Sequence, residues 1–97
     1  MRIILRKKLK DYWVNHADIR ESLQAWYADV KKAKWKPLTD IKKIYSSASI
    51  ITNNRVVFNI KGNKYRLVVA INYGHSIVYI RFIGSHKEYN LVDVSTI

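Results

Sequence analysis

"VFNIKGNKYRLV", residues 57–68, is the stretch of this sequence that decides the fold. Two runs in which apolar and polar side chains alternate flank Gly62 and Asn63. Alternation with a period of two is typical of strands with one buried face, and both loop residues tolerate the positive φ of a two-residue hairpin turn. The predicted register places these residues opposite each other: Lys61 and Lys64, Ile60 and Tyr65, Asn59 and Arg66, Phe58 and Leu67. The stretch therefore predicts an antiparallel hairpin.

A third strand follows in "YIRFIGSHKEYN", residues 79–90, after a connection of two or four residues around 73–76. Either length keeps Ala70 opposite Tyr79 and Val68 opposite Arg81. Strand parity then gives one apolar face, the predicted core, made of Val56, Phe58, Ile60, Tyr65, Leu67, Val69, Ile71, Val78, Ile80 and Phe82. The opposite face, expected to be uncovered, carries Arg55, Asn59, Lys61, Lys64, Arg66, Tyr79 and Arg81, mixed with Val57, Val68 and Ile83. A slip of one residue would exchange the faces, so burial of the apolar face specifies the register.

The first half of the chain has the spacing of helices rather than strands. Apolar side chains recur at helical intervals at Ile19, Leu23, Trp26, Tyr27 and Val30. This stripe predicts a helix that ends near Ala33 and packs on the apolar face of the sheet. Asp18, followed three residues later by Glu21, predicts a capping-box start for this helix.

Shorter elements surround this helix. A strand at residues 2–5 is expected to precede a helix whose apolar side chains are Leu5, Leu9, Tyr12 and Trp13. Lys36–Pro37 breaks the chain, Thr39 or Asp40 is expected to cap a short helix that runs through Tyr45, and residues 46–54 are predicted to form a loop. Trp13 and Trp35 either close the edge of the core or form an aromatic platform for RNA bases. These elements predict an α+β fold with the helices on one face of the sheet.

Length and charge limit the class of protein. A chain of 97 residues predicts one domain that spans residues 1–97. Its net charge of +11 favours association with nucleic acid, an anionic membrane or an acidic protein. The absence of cysteine excludes disulfides and thiolate metal sites. No stretch has the apolar length of a signal peptide or a membrane span, so a cytoplasmic protein without membrane contact is expected.

Four side chains form the predicted catalytic set. Arg66 and Arg81 are expected on adjacent strands and on one face, and guanidinium groups match phosphate oxygens. His86 and Tyr89 follow at a spacing that one helical turn would bring side by side. Cleavage of RNA needs a base for the 2′-OH, an acid for the leaving 5′-oxygen and positive charge at the phosphorane. The Asp and Glu residues are scattered and form no metal-binding motif, so no metal or other cofactor is expected.

Further residues are candidates for RNA binding. These are Asn59, Lys61, Lys64 and Lys87. Lysines that flank a hairpin turn also discourage edge-to-edge strand pairing, and a lysine after a strand is ordinarily solvated. For Tyr89, packing against the sheet, stacking on a base and proton transfer all remain open.

At these residues the sequence resembles a known family. The segments "VFNIKGNKYRLV" and "YIRFIGSHKEYN" together resemble the HigB toxins of the RelE/ParE superfamily, and the resemblance covers nearly the whole chain. It implies a short amino-terminal strand, two helices and a curved antiparallel sheet. Arg66 and Arg81 match the family's phosphate-handling arginines, while His86 and Tyr89 match its carboxy-terminal His-x-x-Tyr. Asn90 departs from the pattern, because the family commonly has Asp there, a carboxylate that could orient the histidine.

The resemblance also implies a function and partners. The expected protein is a toxin that enters the ribosomal A site and cuts mRNA, thereby inhibiting translation. A helix-turn-helix antitoxin, HigA, would hold it inactive and carry the complex to operator DNA. Two alternatives are a ParE-like toxin of DNA gyrase without nuclease activity and a basic RNA-binding module without catalysis. Inhibited supercoiling without mRNA cuts indicates the first alternative, and salt-sensitive binding to intact transcripts indicates the second.

Overall fold

The computed structural model describes residues 1–35 and 40–97. The elements in chain order are β1 (Arg2–Ile4), α1 (Lys7–Asn15), a 3₁₀ turn (Ala17–Ile19), α2 (Arg20–Lys32), α3 (Asp40–Ile44), β2 (Ser49–Ile50), β3 (Arg55–Ile60), β4 (Tyr65–Asn72), β5 (Ile77–Ser85) and α4 (His86–Tyr89). The five strands form one sheet in the order β1-β5-β4-β3-β2. β1 runs parallel to β5, and the other neighbours are antiparallel. The predicted α+β class is confirmed, with a mixed rather than purely antiparallel sheet.

The hairpin of β3 and β4 has the predicted register. Ile60 pairs with Tyr65, Asn59 with Arg66, and Phe58 with Leu67. The positive φ values fall on Lys61 (53°) and Gly62 (66°), one residue earlier than predicted. The next connection has the longer of the two predicted lengths, because Asn72 pairs with Ile77.

A β-bulge in β5 changes the second half of that strand. Ala70 pairs with Tyr79 as predicted, but Val68 pairs with Phe82, so the predicted pairing of Val68 with Arg81 is wrong. Arg81 is the extra residue of the bulge, and an extra residue reverses the parity of everything that follows it. Phe82 therefore shares the face of Val68, and Ile83 packs against the core instead.

The core lies between the helices and the predicted apolar face of the sheet. Leu9 of α1, Leu23 and Val30 of α2 and the inward residues of β3, β4 and β5 are buried there. Aromatic rings surround Phe58, with Trp26, Trp35 and Tyr45 at centroid distances of 5.5, 6.0 and 5.1 Å. Trp35 is only 4% exposed, which settles its role as a core residue.

The opposite face of the sheet is not fully open. Val57, Val68 and Ala70 point to that face, yet each is buried. The chain after α4 returns across the end of this face, where Arg55 Nη2 donates a hydrogen bond to the carbonyl of Ile97 at 2.6 Å. The expectation of an uncovered face is therefore wrong at this end of the sheet.

Two local predictions in the first half are also corrected. No side-chain hydrogen bond caps the start of α2, and the 3₁₀ turn takes the place of the capping box predicted at Asp18 and Glu21. The predicted loop at 46–54 contains the short strand β2, which pairs with β3. The break predicted at Lys36–Pro37 and the cap at Thr39 lie outside the described residues. Within the described ranges, no helix is long and apolar enough to cross a bilayer.

Candidate functional site

The single turn of α4 brings the carboxy-terminal candidates back to the sheet. Ser85 caps this turn: its Oγ accepts a hydrogen bond from the Glu88 amide at 3.1 Å, while Glu88 Oε1 accepts one from the Ser85 amide at 2.9 Å. This reciprocal pair is a capping box, which satisfies two backbone donors at once. The amide of His86 also donates to the carbonyl of Lys64 at 3.2 Å. α4 therefore begins beside the first residues of β4.

Arg66 lies at the same end of the sheet. It pairs with Gly84, the residue before the cap of α4. Its Nη1 donates to the carbonyls of Asn63 at 3.0 Å and Tyr65 at 3.3 Å, so the guanidinium folds over the hairpin turn. Two other nitrogens of the group remain available for an anion.

Arg81 projects from the bulge on the same face as Arg66. The strand register places Tyr79, Arg81 and Phe82 on this face, and the Arg81 guanidinium carbon lies 5.5 Å from the Tyr79 ring centroid. Gly84 is three residues from Arg81, about 10 Å along the strand at the usual rise. That spacing suits two successive phosphates of an extended RNA better than two oxygens of one phosphate.

An open cavity of about 390 Å³ adjoins Arg81, between α1 and the bulged part of β5. Its lining residues are Lys8, Asp11, Tyr12, Arg81, Phe82 and Ile83. Two cations and two aromatic rings there, beside the single carboxylate of Asp11, match the chemistry of a nucleotide, whose phosphate needs positive charge and whose base can stack. The cavity thus extends the candidate surface from β5 onto α1.

The structure brings three of the four predicted catalytic residues to one end of β4 and β5. Arg66, His86 and Tyr89 lie there, and Arg81 lies further back on β5, at the bulge. No hydrogen bond joins the side chains of these four residues to one another. Substrate, rather than direct contact between the side chains, would have to connect them.

Asn90 contacts the candidate histidine. Its amide nitrogen lies 3.3 Å from His86 Nδ1. An amide nitrogen can only donate, so in this arrangement Nδ1 accepts and Nε2 carries the proton. An amide donor at this position therefore favours the ring tautomer opposite to the one that a carboxylate would favour, because a carboxylate can only accept from a protonated Nδ1.

The predicted RNA-binding lysines of the hairpin are engaged within the chain. Asp18 Oδ2 lies 2.7 Å from Lys64 Nζ and 3.5 Å from Lys61 Nζ, and the Tyr65 hydroxyl donates to Asp18 Oδ1 at 2.8 Å. The hydrogen bonds from Lys64 and Tyr65 hold the pKa of Asp18 well below its usual range. The Lys64 side chain remains 59% exposed, so it can still contact RNA although its charge is partly neutralised.

The two other predicted RNA-binding residues differ from each other. Asn59 donates through Nδ2 to the carbonyl of Ser47 at 3.3 Å, which occupies one of its donors. Lys87 is exposed on α4 beside His86. The Lys87 side chain is therefore accessible from solvent, next to His86 in sequence.

Sequence reasoning missed a contact between α1 and α4. The hydroxyl of Tyr12 donates to Glu88 Oε1 at 3.0 Å, and the Tyr12 ring stacks on His16 with centroids 4.0 Å apart. Burial, followed by the hydrogen bond to Glu88, raises the pKa of Tyr12, while the hydrogen bond from the Ser85 amide lowers that of Glu88. Helical spacing indicated only that Tyr12 packs inward, and no local signal connects it with a residue so distant in sequence.

Comparison with known proteins identifies the class. The profile of a family described as HigB toxin, the RelE-like toxic component of a toxin–antitoxin system, matches residues 19–92. The fold and this match define a small RelE-like toxin, and the chain belongs to the HigB toxin family. Membership in a toxin–antitoxin family implies an antitoxin partner.

Curated relatives agree with this family. The chain is 28% identical over 92 residues to the mRNA interferase toxin HigB of Escherichia coli (strain K12). The aligned region covers 93% of this chain and 88% of the relative. The mRNA interferases HigB of Escherichia coli O157:H7 and Shigella flexneri match with the same identity and coverage. The resemblance inferred from the two sequence segments is therefore confirmed.

Proposed function

We propose that this chain is an endoribonuclease that cuts mRNA on the ribosome, without a metal ion, and so inhibits translation. The observation that carries the proposal is the docking of α4 on β4 through the His86 amide and the Lys64 carbonyl, 3.2 Å apart. This contact fixes the start of α4, the turn that carries His86 and Tyr89, next to the first residues of β4, which include Arg66. The names of the curated relatives, which are mRNA interferases, support the same activity.

The chemistry assigns a role to each group. The ribose 2′-oxygen attacks the adjacent phosphorus, the bond from phosphorus to the 5′-oxygen breaks, and the products are a 2′,3′-cyclic phosphate and a 5′-hydroxyl. One proton leaves the 2′-OH and one reaches the 5′-oxygen. His86 Nε2 and the Tyr89 hydroxyl are the groups proposed to move them. Arg66 and Arg81 stabilise the charge of the phosphorane and hold the neighbouring phosphate.

The surroundings of the site follow from the same proposal. Lys64, Lys87 and Asn59 bind the RNA backbone next to the cut, with a smaller contribution from Lys61. The ribosome supplies the positioning of the message, which is a large part of such catalysis. A HigA-like helix-turn-helix antitoxin in the cytoplasm blocks the toxin and takes the complex to operator DNA.

Variants of three residues test the proposal. Arg66→Ala, Arg81→Ala and His86→Gln are expected to fold but to relieve growth arrest, and His86→Gln should slow cleavage about 10²–10⁴-fold, the usual contribution of a general acid or base. Arg20→Ala, at an exposed arginine of α2, is the matched control and should remain toxic. A variant that remains fully toxic removes its residue from the mechanism.

The ribosome requirement needs a separate measurement. Transcript 5′ ends are mapped after brief induction, with the same message in a translated and an untranslated form. Cuts confined to the translated form are expected. Equal cutting of both forms contradicts dependence on the ribosome, and inhibited supercoiling without any cuts would favour the gyrase alternative.

A further inference from the structure

The α4 turn carries two proposed catalytic groups but has little to hold it in place. It is four residues long and buries none of its side chains. One isolated helical turn is unstable in water, because the cost of ordering it exceeds the gain from its few hydrogen bonds. The position of His86 and Tyr89 therefore depends on contacts that α4 makes with the rest of the domain.

Besides the backbone bond from the His86 amide to Lys64, the side chain of Glu88 makes the contacts that hold α4. Its Oε1 accepts from the Ser85 amide at 2.9 Å and from the Tyr12 hydroxyl at 3.0 Å. The first bond closes the capping box within α4, and the second joins α4 to α1. Hydrogen bonds to a carboxylate are stronger than bonds between neutral groups, so this oxygen is a firm attachment.

Tyr12 is in turn fixed at the other end of the bond. Its ring stacks on His16 with an interplanar angle of 2° and meets the Tyr65 ring edge-on at a centroid distance of 6.0 Å. His16 Nδ1 also lies 3.0 Å from the Tyr12 carbonyl. Leu9, on the same helix, is fully buried in the core. The Tyr12 hydroxyl is therefore a fixed point, and α4 is the part that would move if the bond were lost.

We infer that Tyr12 and Glu88 are positioning residues, which hold α4 on α1 so that His86 and Tyr89 keep their place beside β4. Neither residue needs to touch RNA in this role. The inference rests on the proposed function for its effect on cleavage, but the anchoring itself is a property of the free protein and can be measured without RNA.

The chain offers a matched pair of tyrosines for the test. Tyr45 also donates to a carboxylate, Asp29 Oδ2 at 3.1 Å, and its ring also packs against other aromatic rings. The Tyr45 bond joins the residue that follows α3 to Asp29 in α2, and neither residue belongs to α4. Tyr12→Phe and Tyr45→Phe each remove one hydroxyl and one tyrosine–carboxylate bond, and only the first should affect α4.

Amide hydrogen exchange of the free protein measures the anchoring. Exchange at residues 86–91 is expected to become about tenfold faster in Tyr12→Phe, the size that loss of one charge-assisted hydrogen bond produces, and to stay unchanged in Tyr45→Phe. Glu88→Gln, which keeps an acceptor oxygen but loses the charge, should exchange at a rate between wild type and Glu88→Ala, and Glu88→Ala should exchange rapidly. Equal exchange at α4 in Tyr12→Phe and Tyr45→Phe would overturn the inference.

Cleavage of a defined mRNA on purified ribosomes measures the consequence. The single-turnover rate constant of Tyr12→Phe should fall about tenfold while the half-saturating ribosome concentration stays the same, because positioning acts on the chemical step. A change in the half-saturating concentration alone would overturn the positioning role. If the wild-type protein cuts nothing, the proposed function fails, and the exchange result still decides whether Tyr12 anchors α4.

Discussion

Asp18 joins the 3₁₀ turn to the hairpin through one carboxylate. It accepts hydrogen bonds from the side chains of Lys64 and Tyr65. In the folded protein these bonds lower its pKa from the ordinary value of 3.8. A carboxylate whose pKa falls on folding stabilises the folded state at every pH above the ordinary value. That stabilisation disappears as the pH falls from the ordinary value through the lower, folded-state value.

Replacement of Asp18 tests this pH dependence. Asp18→Asn should be less stable than wild type at pH 7, because the neutral amide can accept a hydrogen bond from Lys64 but cannot form an ion pair with it. The difference should begin to narrow below pH ~4, where the Asp18 carboxylate takes up a proton in the unfolded chain but stays ionised in the folded protein. Thermal unfolding between pH 7 and pH 3 measures both effects. Asp11→Asn, at an exposed carboxylate of α1, is the control and should show no such trend. A difference that is the same at all pH values would contradict the assignment.

Gly84, in β5, is the place where the strand, α4 and the Phe82 ring come closest. A Cβ at this position would lie 2.6 Å from Phe82 Cζ and 3.2 Å from Glu88 Cβ. Neither distance is compatible with ordinary packing, so the ring or the helical turn would have to move. A methyl group at this position would therefore have to displace the Phe82 ring or the helical turn.

Gly84→Ala is accordingly expected to destabilise the protein by about 1–3 kcal/mol, the usual cost of overpacking. The control is Gly74→Ala, whose Cβ would meet only Asn72 Oδ1 at 3.6 Å, an ordinary contact. Phe82→Leu removes the clashing ring atoms, so the double variant should recover part of the loss. Denaturant unfolding of the two single variants and the double variant gives the coupling energy. Simple additivity would show that the ring is not the obstacle.

The elements differ in how far the sequence predicts them. The alternation of apolar and polar side chains predicts which face of the hairpin is buried, and the short loop predicts its register. The observed pairing of Ile60 with Tyr65 confirms that register. The bulge does not follow, because Phe82 and Ile83 are both apolar and either can face the core without conflict. The residue types alone predicted the members of the candidate site. The hydrogen bonds from Tyr12 to Glu88 and from Lys64 to Asp18 join residues far apart in sequence, and no local sequence pattern predicts such pairs.

Across the whole molecule, much of the positive charge lies on the helices. α1 and the end of α2 carry clusters of lysine, and α3 adds two more. Only some of this charge adjoins the candidate site: Lys8 lines the cavity beside Arg81, whereas Lys42 on α3 does not. Charge near the RNA path should release counterions on binding, while distant charge should only attract RNA from afar.

Salt dependence separates these two contributions. Binding of a single-stranded RNA oligonucleotide to wild type, Lys8→Gln and Lys42→Gln is measured over a range of salt concentrations. Lys8→Gln should reduce the slope of log K against log salt by about 0.7, the value for one phosphate contact on a single strand. Lys42→Gln should leave the slope unchanged. If Lys8→Gln has the same slope as wild type, the RNA does not contact Lys8 at the cavity.

The parallel pairing of β1 with β5 has a consequence for biosynthesis. Arg2 pairs with Ile77, so the first strand has no partner until β5 has been translated. Contacts between such distant segments form late in folding. Arg81, in β5, and His86, just after it, also emerge late. Under the proposed function, a nascent chain therefore lacks its complete set of catalytic groups until translation has passed residue 89.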